Sequence, residues 1–205
     1  MAEAQPVVHI VDDDASFLRA MGRLLRAEGY VVRQYGSAAE FLARSDAGVP
    51  GCLLADLRMP GMSGLDLQAA LAKAPDPVPV VFLSGHGDIP STVRAMKQGA
   101  EDFLTKHAPK EDLLAAVRRA LERDVRERAQ RVRRRELRAR IETLTPRERE
   151  VLARVVQGKL NKEIAAELGI HERTVKLHRT AVTTKLDVQS VAQLTRLVQE
   201  AGLLP

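Results

Sequence analysis

A chain of 205 residues has room for one large domain or two small ones. Its 45% hydrophobic and 29% charged residues are ordinary globular usage, which excludes wholesale disorder, and its longest apolar run falls far short of the ~20 residues of a membrane helix. The net charge of +5 is unevenly spread: residues 1–120 carry 13 basic and 15 acidic side chains and residues 121–205 carry 19 and 12, so the second part is suited to meet a polyanion. Aromatics are 3% with no Trp, so the core is expected to be aliphatic. The basic part contains no Phe, Tyr or Trp to anchor at a lipid interface, which favours nucleic acid over a membrane surface as its partner. The opening MAEAQPVVHIVDDD meets three aspartates too early for a secretory h-region, so a cytoplasmic protein is expected. Cys52, the single cysteine, sits in an apolar run and reads as a small core residue.

In chain order, Val7–Val11 reads as a buried strand and Ser16–Glu28 as a helix with Phe17, Leu18, Met21, Leu24 and Leu25 on one side, ended by Gly29. Tyr30–Gln34 (strand), Ala38–Arg44 (helix), Cys52–Ala55 (strand) and Gly64–Ala72 (helix) follow. Val78–Leu83 (strand), Ile89–Gln98 (helix), Asp102–Leu104 (strand) and Lys110–Leu121 (helix) complete five βα units. Short apolar strands alternating with amphipathic helices predict a doubly wound α/β domain over 1–120, with a parallel sheet covered on both faces. Residues 121–143 lack Gly and Pro and hold nine arginines, predicting a charged, solvated linker helix with a thin seam of Val117, Leu121, Val125, Val132 and Ala139. A coiled-coil dimer along that seam is the alternative.

From 144 to 205 the pattern is all-α. Thr145-Pro146-Arg147-Glu148 is a helix start with a capping box, and the first helix stops at Gly158. Asn161 is expected to cap a second helix, Lys162–Leu168, which ends at Gly169; Glu172–Leu186 forms a third, and Ser190 caps a fourth, Val191–Ala201. Two short helices around a glycine turn, the second rich in basic and hydroxyl residues, form a helix-turn-helix.

Chemistry concentrates at the carboxyl ends of the strands, where doubly wound sheets bind ligands. Asp12, Asp13 and Asp14 follow the first strand and Asp56 the third, while Ser84 closes the fourth and Lys106 the fifth. Clustered carboxylates raise one another's pKa, and a hard divalent cation with oxygen ligands, Mg²⁺, relieves this. Such a pocket suits phosphoryl chemistry, with Asp56 as nucleophile and Lys106 neutralising phosphoryl oxygens. On the third helix of the basic part, Lys176 is placed to reach guanine, Thr180 a base edge and Leu177 a thymine methyl, while Val175 and Val182 point inward.

VDDD, DLRMPGMSG, FLSGHGD and the lysine after Asp102-Phe103-Leu104-Thr105 resemble a two-component receiver domain. LTPREREVLARVVQGKLNKEIAAELGIHERTVKLHRTAVTTKL is similar to the helix-turn-helix of LuxR/NarL-type regulators, and together the two resemble a FixJ-type response regulator. The resemblance implies that Asp56 accepts a phosphoryl group from a sensor histidine kinase. It implies Asp12 and Asp13 as the acidic pair, Asp13 being the nearer Mg²⁺ ligand, completed by the backbone carbonyl of Arg58. Ser84 would follow the phosphoryl group and Phe103 would be the aromatic switch. Base contacts fall on Lys176, Leu177 and Thr180, with Thr174, His178, Arg179, Lys185, Asn161 and Lys162 on phosphates of double-stranded DNA. A homodimer on phosphorylation and contact with RNA polymerase follow, with no activity as an enzyme beyond the receiver's own phosphorylation and dephosphorylation.

One departure stands out. The family's Lys-Pro-Phe is here Lys106-His107-Ala108, so the loop either keeps a costly non-proline cis bond or becomes trans and moves Lys106. This keeps open a phosphorylation-independent DNA-binding regulator with a degenerate receiver; His107 itself reads as an exposed loop residue. A haloacid-dehalogenase-like phosphatase, suggested by Asp12-x-Asp14-x-Ser16, lacks a cap insertion and leaves Asp56 and the basic half without a role.

Overall fold

The computed structural model describes residues 5–45, 49–85 and 89–203 and divides into two compact units, 1–128 and 129–205. The last residues of the FLSGHGD motif, 86–88, lie outside the described residues.

In the first unit, β1 (Val7–Val11), β2 (Val31–Tyr35), β3 (Gly51–Asp56), β4 (Val80–Ser84) and β5 (Asp102–Thr105) form a parallel sheet in the order β2-β1-β3-β4-β5. The intervening helices are α1 (Ala15–Ala27), α2 (Ala38–Arg44), α3 (Gly64–Leu71) and α4 (Ile89–Lys97), and α5 (Lys110–Glu142) follows β5. Successive strand residues face opposite sides, so one apolar layer gathers Val8, Ile10, Cys52, Leu54, Val81 and Leu83 with Leu25 of α1 and Leu113 and Val117 of α5. The other gathers Val11, Leu53, Ala55 and Phe82 with Phe41 of α2, Leu67 of α3 and Ala95 of α4. Burial on both faces explains why the central strands read as continuous apolar runs. Cys52 is fully buried, and desolvation raises its thiol pKa strongly.

Three strand starts differ from the sequence reading. β3 begins one residue earlier than expected, at Gly51. β4 begins at Val80 because Pro79 has no N–H to give the ladder; its carbonyl instead accepts from Leu53 N at 2.9 Å. β2 begins one residue later than expected, at Val31, after Gly29 in a left-handed conformation (φ +86°).

The segment 121–143, expected as a solvated linker, is helical but divided between the units. Asp124, 1% exposed, accepts from Gly51 N at 2.8 Å and pairs with Arg128, whose Nη2 donates to Val49 O at 2.9 Å, so this part of α5 belongs to the sheet domain. Leu137 and Ile141 are buried in the second unit's core. Val125 and Val132 of the expected seam are 58% and 51% exposed. The arginines masked the pattern: Leu137, Ile141 and Leu144 recur at i, i+4 and i+7 and make one stripe.

The second unit continues with α6 (Pro146–Val156), α7 (Asn161–Leu168), α8 (Glu172–Lys185) and α9 (Val191–Glu200). Thr145 caps α6 with the expected box, its hydroxyl accepting from Glu148 N while the Glu148 carboxylate accepts from Thr145 N at 2.8 Å. Ser190 caps α9 by accepting from Gln193 N. Asn161, expected as the cap of α7, is instead its first helical residue; Leu160 occupies the cap, its N–H satisfied by Glu163 at 2.7 Å. Gly169, left-handed at φ +63°, closes α7 and turns the chain into α8, whose Val175 and Val182 are buried among Val151, Ile164 and Leu194.

Candidate functional site

Strand register builds the acidic pocket. Val11 pairs with Ala55, so the next residues, Asp12 and Asp56, stand side by side at the carboxyl edge. Asp12 and Asp56 are 1% and 7% exposed, Asp13 is exposed, and one oxygen from each of the three carboxylates lies within 4.8 Å of the others. Asp14 turns away to cap α1, accepting from Ser16 N at 2.7 Å and Phe17 N at 3.2 Å, and these amides lower its pKa. The aspartate run thus splits into one helix cap and two pocket carboxylates.

Lys106 follows β5, whose ladder is extended by Lys106 N donating to Ser84 O at 2.9 Å. Its Nζ lies 2.6 Å from Asp12 Oδ2 and 3.3 Å from Asp56 Oδ2, and 4.6 Å from the Phe17 ring centroid. No peptide bond among the described residues is cis, so the bond after Lys106 is trans, and the ammonium still reaches both carboxylates. Burial alone would lower the Lys106 pKa, but its bonds and charge contacts with Asp12 and Asp56 outweigh this and raise it. Burial is also the main cause of the raised pKa of Asp12, which Lys106 and the Asp14 N–H partly offset. Asp12 Oδ2 is buried with Lys106 Nζ as its ion-pair partner, and Asp12 Oδ1 accepts from Asp14 N at 2.9 Å. Three carboxylates against one ammonium form a donor set that fits a hard divalent cation.

The remaining predicted residues surround this cluster. Ser84 is 2% exposed at the end of β4, one position beyond the pairing of Leu83 with Asp56. Arg58 lies in the exposed part of the β3–α3 loop. Phe103 is partly buried, its ring 6.1 Å from Phe82. His107 is exposed. Gly64 permits the loop's close return: a Cβ there would stand 2.3 Å from Asp56 O and 2.9 Å from Phe82.

In the second unit, α8 turns Arg173, Lys176, Leu177, Thr180 and Thr184 to solvent, Leu177 at 65% exposure. An exposed leucine beside exposed cations suits a base edge with a methyl group. Thr174 and His178 are half-buried on its flank, and Lys162 is exposed on α7. Arg179 donates to Asn161 Oδ1 at 2.8 Å, joining α8 to the start of α7. Lys185, expected on phosphate, is exposed at the end of α8, and its Nζ donates to both oxygens of Glu148.

Residues 8–118 match the response regulator receiver domain, and residues 142–198 match the bacterial regulatory proteins of the luxR family. The chain is a two-component response regulator with a LuxR-type DNA-binding domain. It is 44% identical over 202 residues to nodulation protein W of Bradyrhizobium diazoefficiens, covering 98% of this chain and 89% of that protein. It is 45% identical over 199 residues to response regulator protein TmoT of Ectopseudomonas mendocina, covering 97% and 90%, and 43% identical over 208 residues to transcriptional regulatory protein FixJ of Azorhizobium caulinodans, covering 100% and 97%. Among solved structures it is similar to the response regulator StyR (TM-score 0.78, 44% identity, 96% of this chain and 100% of that one). Full-length FixJ from B. japonicum is a second such structure (TM-score 0.58, 33% identity, 98% and 100%). A receiver implies a sensor kinase as partner, and the LuxR-type domain implies DNA binding. No helix among the described residues is long and apolar enough to cross a membrane.

Sequence reasoning about this response regulator missed three contacts of its working parts. Phe17 counted only as a core-facing residue of α1, yet its ring flanks Lys106. The Asn161–Arg179 and Glu148–Lys185 pairs join residues 18 and 37 positions apart, and no local pattern announces such contacts.

Proposed function

We propose that Asp56 of this response regulator accepts a phosphoryl group from the phosphohistidine of a sensor kinase, and that this modification controls transcription through α8. The observation that carries the reading is the convergence of the Asp12, Asp13 and Asp56 carboxylates with Lys106 at one sheet edge. An Asp56 carboxylate oxygen attacks phosphorus as the bond to the kinase imidazole breaks, and the imidazole nitrogen leaves with the electron pair. Lys106 supplies positive charge to the phosphoryl oxygens, and the Ser84 hydroxyl donates to one of them. Asp12, Asp13 and Asp56, with the Arg58 carbonyl, would hold Mg²⁺, which when bound supplies further charge neutralisation at those oxygens. Phe103, partly buried beside Phe82, is the aromatic group that moves when Ser84 is drawn to the phosphoryl group. Lys106 within reach of both buried carboxylates supports phosphorylation over a degenerate receiver.

The modified receiver pairs with a second copy. Ile89, Val93 and Met96, exposed at i, i+4 and i+7 of α4, support an apolar surface for that pairing. The dimer presents two α8 helices to double-stranded DNA in the cytoplasm, where the bound regulator meets RNA polymerase. Lys176, Leu177 and Thr180 read bases; Asn161, Lys162, Thr174, His178, Arg179 and Lys185 hold phosphates. The test is incubation with Mg²⁺ and acetyl phosphate. Wild type takes up one acid-labile phosphoryl group and Asp56→Asn takes up none; a label on another residue refutes the reading.

A further inference from the structure

Besides meeting Asp12 and Asp56, the Lys106 ammonium lies over the Phe17 ring, 4.6 Å from its centroid. A cation within about 6 Å of a ring centroid is attracted by the negative face of the ring. Phe17 belongs to the first turn of α1, which the Asp14 cap fixes by accepting from Ser16 N and Phe17 N. Its ring is partly buried against the layer that holds Leu25 of α1 and Leu113 of α5. The ring is thus anchored through both its backbone and its side chain. The lysine, by contrast, carries its charge on a long flexible stem. The loop after it turns through a trans bond into His107, without a proline to restrain the backbone. Even so, the Lys106 side chain is only 18% exposed.

We propose that Phe17 is a positioning residue for phosphoryl transfer: its ring holds the Lys106 ammonium beside Asp56, where the phosphoryl oxygens arrive. The inference rests on the reading of Asp56 as the phosphoacceptor. Asp12 is the nearer carboxylate, 2.6 Å against 3.3 Å, and alone it draws the ammonium away from Asp56. The ring adds an attraction that comes from neither carboxylate. Being neutral, it holds the ammonium without offsetting its charge, which stays available to the phosphoryl oxygens. Partial shielding from water strengthens the contact. The ring makes and breaks no bond; it keeps a charge in place, so that no reorganisation is needed as phosphorus moves to Asp56.

The test measures the rate of Asp56 labelling by acetyl phosphate in the full chain. Phe17→Leu should slow it about five-fold, and Phe17→Tyr, which restores the ring, should keep the wild-type rate. In a Lys106→Ala background, Phe17→Leu should cause no further slowing, because the ring acts through the ammonium. Replacing Phe17 by trifluorophenylalanine keeps the shape but weakens the ring face, and should also slow labelling; it decides the matter if Phe17→Leu does not fold. Independently of labelling, the ring should shift the proton resonances of the Lys106 ε-methylene upfield in wild type, and Phe17→Leu should abolish that shift. Wild type without label overturns the reading of Asp56 and this inference with it. Label at equal rates in wild type and Phe17→Leu, equal slowing with and without Lys106, no recovery in Phe17→Tyr, or no ring shift at Lys106 would each overturn this inference alone.

Discussion

Lys185, the last residue of α8, donates to both carboxylate oxygens of Glu148, at 3.0 and 2.8 Å, while the same carboxylate caps Thr145 N. One buried acid thus closes the start of α6 and holds the end of α8. The Lys185 bond and then the Thr145 N–H lower the Glu148 pKa. Lys185→Ala should cost about 1–3 kcal/mol of stability, because it strips a charged partner from a buried carboxylate. Loss of this phosphate contact should also lower the salt slope of DNA binding by about one unit. Calorimetry and a salt series of affinities check this, and an unchanged slope would remove Lys185 from the phosphate contacts.

Reading and holding should separate on α8. Lys176→Ala should lose about 1–3 kcal/mol on a cognate duplex and relax preference at one base pair. Arg179→Ala should weaken cognate and scrambled duplexes alike and lower the salt slope by about one unit. Because Arg179 is bonded to Asn161, Asn161→Ala should reproduce part of the Arg179→Ala loss. Affinities on matched and scrambled duplexes across salt concentrations measure all three.

In the acidic pocket, Asp13→Asn should weaken Mg²⁺ binding by removing an anionic ligand, read by titration calorimetry. Ser84→Ala should still be phosphorylated by acetyl phosphate but should not dimerise in response, read by sedimentation. Unchanged dimerisation in Ser84→Ala would remove Ser84 from the switch.

His9, in the middle of β1, is 2% exposed; its Nδ1 lies 3.2 Å from the Tyr35 hydroxyl, and its ring packs against Phe41. Burial, and then the charge of Arg33, lower its pKa from 6.5 to about 4. The unfolded chain therefore binds a proton between those values that the fold does not. Stability contributed by neutral His9 is present above pH 6.5 and lost as pH falls toward 4, by up to about 3 kcal/mol. Urea unfolding across that range should show the slope in wild type and a flatter profile in His9→Phe.

Gly64→Ala should shift the Asp56 backbone, since the new methyl would stand 2.3 Å from Asp56 O. A loss of about 1–3 kcal/mol, with slower phosphorylation by acetyl phosphate, is expected from such overpacking. Denaturant melts and phosphorylation rates check it.

The sequence by itself determined the five βα units, the four basic-domain helices, the glycines that end them and the caps Thr145 and Ser190, because those signals are local: apolar periodicity, missing N–H groups and side-chain oxygens within three residues of their donors. It also placed Asp12, Asp13, Asp56, Ser84 and Lys106 at strand ends, and an edge of a parallel sheet is where such ends must meet. Only the tertiary structure decided which aspartate of the run 12–14 caps α1, and that Lys106 reaches Asp12 and Asp56 with a trans bond after it. Only the tertiary structure divided α5 between two cores and tied Lys185 to Glu148. These outcomes depend on strand register and on contacts between residues far apart in the chain, and the energy of such contacts has no signature in the local pattern of residue types.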